Sequence, residues 1–86
     1  MKLNDEKSKL YHSHTIRNRQ EIDQSEYCHC FSCIKSYPSP IVMDFIKDGD
    51  GETALCPYCG IDAVIGDASD LEINNEILSA LNKIWF

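Results

Sequence analysis

The feature that most constrains this chain is a pair of cysteine motifs, each with two residues between its cysteines. The cysteines are Cys30, Cys33, Cys56 and Cys59, and 22 residues separate the two motifs. Two such pairs supply four thiolates for a tetrahedral site with metal–sulfur distances of about 2.3 Å. Four protein ligands leave no open position for water or substrate. The spacing therefore predicts one structural zinc ion, with iron as the less favoured metal.

The size of the chain also favours a metal. Its 86 residues are enough for one domain, and small domains commonly rely on disulfides, a metal or a partner for stability. Five cysteines are an odd number, which fits a disulfide framework poorly. The N-terminus has no signal-like apolar stretch, and no apolar run reaches the roughly 18 residues that span a bilayer. We therefore expect a cytoplasmic protein with reduced thiols.

The charge distribution bears on the choice of partner. The formal net charge is −6, of which residues 36–86 contribute −7 and residues 1–35 contribute +1. An acidic chain repels the phosphate backbone, which supplies most non-specific affinity for nucleic acid. With no catalytic constellation beside the cysteines, the composition favours a non-enzymatic module that binds another protein through an acidic or aromatic face.

The N-terminal third shows little periodicity. Residues 1–12 are polar and predict a flexible tail, which leaves residues 13–86 as a single zinc-binding domain. Asn18 predicts the N-cap of a short helix, with Glu21 placed to reach back to it.

The middle of the chain predicts a second short helix. Ser39 is a suitable N-cap and Pro40 a suitable first helical residue. Apolar residues then follow at amphipathic spacing as far as Ile46, so the helix should end near Lys47. A turn is predicted at residues 48–51.

The last third predicts strands and the clearest helix. Residues 53–55 and 62–65 are expected to pair as a short hairpin around the second motif. Asn74 should cap a C-terminal helix, with Ile73 and Leu78 as a hydrophobic staple. Its apolar stripe consists of Ile77, Leu78, Leu81, Ile84 and Trp85. The fold class is thus small α+β: a zinc-ribbon or rubredoxin-like pair of cysteine knuckles, a short hairpin, a short middle helix and a C-terminal amphipathic helix.

Two cysteine features leave a thiol-redox function as a second alternative. Cys28 is a spare buried thiol, a replacement ligand for Cys30, or a reactive thiol beside His29. Residues 56–59 (CPYC) match the active-site tetrapeptide of glutaredoxins. Gly60 and the extended residues after it replace the helix expected there, so metal ligation is favoured at this motif.

A nucleic-acid-binding zinc ribbon is the first alternative function. Its basis is a small group of basic or imidazole side chains: Arg17, Arg19, Lys35, His12, His14 and His29. His12 and His14 have no suitable carboxylate beside them and are read as solvated rather than as a second metal site. Trp85 and Phe86 are expected to dock on this domain.

Several segments together resemble a family of small bacterial zinc-ribbon-like proteins labelled "cytoplasmic protein". They are residues 27–33 (YCHCFSC), residues 54–67 (ALCPYCGIDAVIGD) and the closing Trp85 and Phe86, with likeness extending upstream to residues 16–19 and 21–22. The resemblance covers residues 12–86 and departs at residues 69–71, where that family often has a Gly-Tyr-Pro turn. It implies a zinc-ribbon-like fold and a bacterial cytoplasmic home, and it implies no particular reaction.

Overall fold

The structure, a computed structural model, describes residues 3–86 as a small α+β domain, in agreement with the predicted class. Its α-helices are α1 (Asp5–Ser13), α2 (Arg19–Asp23) and α3 (Asn75–Trp85). Its strands are β1 (Tyr27–Cys30), β2 (Lys35–Pro38), β3 (Phe45–Asp48), β4 (Gly51–Ala54) and β5 (Val64–Gly66). Single 3₁₀ turns occur at Ser39–Ile41 and Asp67–Ser69.

The strands form two antiparallel sheets. One sheet has the order β2-β1-β5, and the other is the hairpin β3-β4, whose turn contains Gly49 with φ of 63°. Asn18 joins the two sheets, because its side-chain amide donates to the Val64 carbonyl at 2.7 Å and accepts from the Ala54 N–H at 3.0 Å. A buried amide with both ends satisfied fixes the relative position of the sheets.

Helix α3 closes the core as predicted. Asn74 caps it by accepting from the Ile77 N–H at 2.9 Å, and Ile77, Leu78 and Leu81 are almost completely buried. Burial of each such side chain contributes roughly 1.5–3 kcal/mol. The Asn82 amide donates to the carbonyls of residues 31 and 32, so this helix also holds the first cysteine motif.

The N-terminal segment differs from the predicted flexible tail over residues 1–12. Helix α1 occupies Asp5–Ser13 and is capped by Asn4, whose side chain accepts from the Lys7 N–H at 2.8 Å. Tyr11 is buried, and its hydroxyl donates to the Glu72 carbonyl. The helix belongs to the domain because this aromatic side chain completes the core. Residues 1 and 2 lie outside the described residues.

The middle helix predicted from Pro40 to Lys47 is wrong. Only a 3₁₀ turn forms at Ser39–Ile41, and Phe45–Asp48 is strand β3. The reason is tertiary: Phe45 pairs with Ala54 in the hairpin with β4, and this pairing overrides an ambiguous apolar pattern.

The pairing of the predicted hairpin is also wrong, although its strands exist. Strand β4 pairs with β3, whereas β5 pairs with β1, with His29 opposite Ile65. The second cysteine motif therefore lies between strands of different sheets. That arrangement brings it against the first motif, which forms the turn between β1 and β2.

The two C-terminal aromatic residues contact this domain, as expected. Trp85 stacks on His12 with ring centroids 4.1 Å apart, and Phe86 packs against Phe31 at 5.7 Å. The Phe86 side chain nevertheless remains largely exposed. Across the described residues, no helix combines the length and the apolar character needed to cross a membrane.

Candidate metal centre

The four predicted ligand cysteines meet at one point. Each offers a sulfur, and these Sγ atoms all lie within 4.8 Å of one another. The close pairs join the two motifs: Cys30 to Cys59 and Cys33 to Cys56, each at 3.7 Å. A tetrahedron with metal–sulfur arms of about 2.3 Å has edges of about 3.8 Å. The arrangement therefore fits a tetrahedral ion that binds thiolates, such as zinc.

Backbone amides approach the first sulfur of each motif in the same way. The Ser32 N–H donates to the Cys30 sulfur at 3.4 Å, and the Tyr58 N–H donates to the Cys56 sulfur at 3.4 Å. In both motifs the donor lies two residues after the acceptor. Such N–H groups stabilise a thiolate over a thiol, which is the form that binds a metal.

The two buried sulfurs differ in their electrostatic surroundings. Burial raises the pKa of the Cys30 thiol. Burial also acts to raise the pKa of Cys56, but the Tyr37 hydroxyl and the backbone N–H of Cys59 outweigh it and lower the pKa to about 7. In a protein without metal, Cys56 thus becomes a thiolate more readily than Cys30.

The residue after each motif has a left-handed backbone. Gly60 has φ of 75°, and Ile34, at the matching position of the first motif, has φ of 59°. Glycine adopts this conformation freely, whereas a β-branched side chain is strained there. The first motif therefore carries a local strain on the order of 1–3 kcal/mol that the second one avoids.

We expect Ile34→Gly to raise the free energy of unfolding by about 1 kcal/mol, because relief of strain exceeds the added chain entropy and the loss of a partly exposed side chain. Gly60→Ala should lower it by a similar amount, since a Cβ there meets no atom within 4 Å and only the backbone conformation is penalised. Denaturant unfolding at a fixed metal concentration measures both. Destabilisation by Ile34→Gly would show that the packing of this side chain outweighs the strain.

Tyr37 is a residue of the site that sequence reasoning missed. Its ring is buried, and its hydroxyl oxygen has no hydrogen-bond partner among the described residues. Burial is the main cause that raises the pKa of this hydroxyl, and the neighbouring Cys56 sulfur raises it further. The hydroxyl approaches Cys56 without reaching ordinary hydrogen-bond geometry. An unsatisfied buried donor costs about 1–3 kcal/mol.

Cys28 has the character of a structural thiol. It lies on the same strand as Cys30, is completely buried, and is not one of the four clustered sulfurs. Burial, helped by the Asp67 carboxylate, raises its pKa to about 12. At neutral pH such a thiol is almost entirely protonated, which makes it a poor nucleophile.

The two N-terminal histidines have partners other than a metal. The His14 Nδ1 lies 3.0 Å from a Glu21 carboxylate oxygen, and His12 stacks on Trp85. Within residues 3–86, the four cysteines form the only group of three or more potential ligands that converge. Glu21, which was predicted to reach back to Asn18 as a helix cap, pairs with His14 instead.

The basic side chains of the nucleic-acid alternative lie against other groups. Arg19 contacts the Glu52 carboxylate at 3.0 Å and covers the Phe45 ring at 4.4 Å. Arg17 lies 3.9 Å from Asp48. Carboxylates therefore neutralise much of the positive potential that these arginines would offer a phosphate.

Comparisons with known proteins add no relative from which a role could be transferred. No family model matches the chain, and neither the curated proteins nor the solved structures contain a match.

Proposed function

We propose that this chain is a structural-zinc protein that acts as a non-enzymatic protein-interaction module. The observation that carries the metal proposal is the convergence of four sulfurs at tetrahedral spacing. Zinc is preferred because it accepts four thiolates without redox chemistry, whereas iron at the same site would be redox-active. A closed set of four ligands serves folding rather than catalysis.

The metal centre presents apolar side chains to solvent. Ile34 and Tyr58 are next to ligand cysteines in sequence, Ile61 is two residues after Cys59, and all three are exposed; we term these side chains the knuckle face. The Lys35 ammonium lies over the Tyr58 ring, 5.4 Å from its centroid, which adds a cation to this group of side chains. Apolar and aromatic side chains on a rigid support are typical of protein interfaces. The knuckle face therefore supports a protein partner.

An affinity-capture experiment with matched variants tests the interaction proposal. Tyr58→Ser removes a 60% exposed ring from the knuckle face, and Met43→Ser removes a 79% exposed side chain elsewhere. We expect a protein captured by the wild type after nuclease treatment to be retained by Met43→Ser and lost by Tyr58→Ser, with metal content unchanged. Equal capture by both variants would contradict a role for this face.

The same experiment separates the nucleic-acid alternative. Binding that disappears after nuclease treatment, weakens steeply with salt and is abolished by charge reversal at Arg17 and Arg19 would establish a nucleic-acid-binding ribbon instead. The net charge of −6 and the carboxylates beside both arginines favour the protein partner. We also propose that the protein is cytoplasmic and that it belongs to the bacterial zinc-ribbon-like family that it resembles.

A further inference from the structure

Tyr37 stands out because a buried donor without an acceptor is rare in a folded domain. It lies on β2 directly opposite Cys28 of β1, and its ring packs on Tyr58 of the second motif at 5.4 Å between centroids. Its hydroxyl is shielded from solvent and interacts with the Cys56 sulfur, while Cys30 and Cys28 act on it electrostatically. The Cys56 sulfur is therefore the candidate acceptor for this hydroxyl.

Metal binding would make the Cys56 sulfur a stronger hydrogen-bond acceptor. A thiol is a weak acceptor, whereas a thiolate is a strong one because it carries negative charge. Cys56 is the sulfur that the hydroxyl approaches most directly, and it also accepts from the Tyr58 N–H at 3.4 Å. A metal-bound Cys56 would keep its charge and give the hydroxyl its missing partner.

We propose that Tyr37 is a positioning residue of the metal centre, whose buried hydroxyl donates a hydrogen bond to the metal-bound thiolate of Cys56. The inference rests on the proposed metal site. This donor orients the sulfur toward the metal, in the way that outer-shell donors act at other metal sites. It also places a polar interaction between strand β2 and the second motif, so that metal binding locks the motif to the sheet.

The test compares Tyr37→Phe with Tyr27→Phe. Both variants lose only a hydroxyl and keep the ring, but the Tyr37 hydroxyl is buried near the cysteines whereas the Tyr27 side chain is half exposed and lies outside both cysteine motifs. Competition with a chromophoric chelator measures zinc affinity in the full chain. We expect Tyr37→Phe to weaken zinc binding about 10- to 100-fold, as loss of outer-shell partners commonly does, and Tyr27→Phe to leave it unchanged.

A spectroscopic readout distinguishes this role from simple core packing. With cobalt(II) as the probe, the sulfur-to-metal charge-transfer band of Tyr37→Phe should move to longer wavelength, because a sulfur without its donor gives up electron density more easily. The shift should persist in a Cys28→Ala background, since Cys28 is not a ligand. An unchanged band, or equal zinc affinity of Tyr37→Phe and the wild type, would overturn the inference. So would a dependence of the shift on Cys28.

Metal binding by the wild-type chain tests the metal site independently of Tyr37. Binding of one cobalt or zinc ion per wild-type chain supports the proposed metal site whatever Tyr37→Phe does. Failure of the wild type to bind either ion would overturn the metal site itself, and this inference with it.

Discussion

Removal of the metal is expected to unfold most of this domain. Binding of zinc to four thiolates contributes on the order of 10 kcal/mol or more to folding, because no preformed site exists in the unfolded chain. That is comparable with the entire stability of an ordinary domain. A chelator added to the reduced protein should abolish the cooperative thermal transition seen by circular dichroism and collapse the dispersion of the amide NMR spectrum.

Restoration of zinc supplies the control for that experiment. Refilling the reduced protein with one equivalent should recover both signals, since only the ion has changed. Retention of a cooperative transition after complete metal removal would contradict the dependence of the fold on this site. The apolar core around Ile77, Leu78 and Leu81 would then be sufficient by itself.

The second large effect concerns a matched pair of cysteines on β1. Cys30 and Cys28 are both completely buried and lie on one face of the same strand, but only Cys30 belongs to the four clustered sulfurs. Cys30→Ala is expected to abolish stoichiometric zinc binding, and with it most of the folding energy that the metal supplies. Cys28→Ala should retain one zinc per chain and lose only about 1 kcal/mol, the cost of a small cavity.

Elemental analysis gives the zinc content of the two variants, and thermal unfolding gives their stability. Together they show whether Cys30 or Cys28 is the ligand. Zinc retained by Cys30→Ala but lost by Cys28→Ala would reverse the ligand assignment and make Cys28 the first ligand. Loss of zinc from both variants would indicate that packing of this strand, rather than ligation alone, maintains the site.

The sequence predicted the parts of this structure that depend on local chemistry. The spacing of Cys30, Cys33, Cys56 and Cys59 identified four sulfurs that do converge, because two residues between cysteines permit only a tight turn. Helix α3 was equally clear, since a capping Asn74 precedes a regular apolar stripe.

Features that depend on distant pairing could not be predicted. Phe45 and Ile46 have a spacing that suits a helix or a strand, and only the pairing with β4 decides for the strand. Strand β5 carries no signal that directs it to β1, more than thirty residues earlier, rather than to the nearby β4. The predicted hairpin was therefore paired incorrectly, whereas the predicted convergence of the four cysteine sulfurs is confirmed.

The sequence also did not predict the roles of two single buried side chains, those of Tyr11 and Tyr37. Helix α1 is mostly polar and joins the core chiefly through Tyr11, too little apolar surface to produce a periodic pattern. Tyr37 has ordinary strand neighbours, and nothing in its sequence context indicates that its hydroxyl interacts with the Cys56 sulfur. Only the three-dimensional arrangement of strand β2 and the second motif shows the relation.

Native mass spectrometry of the chain purified without added reductant tests the proposed metal site most directly. We predict a compact charge-state distribution with the mass of one chain plus one zinc ion, and conversion to an extended distribution of bare chains when a chelator is added. A compact species without metal, in which the cysteines have lost hydrogens by forming disulfides, would contradict the metal site and make thiol-redox chemistry the leading function.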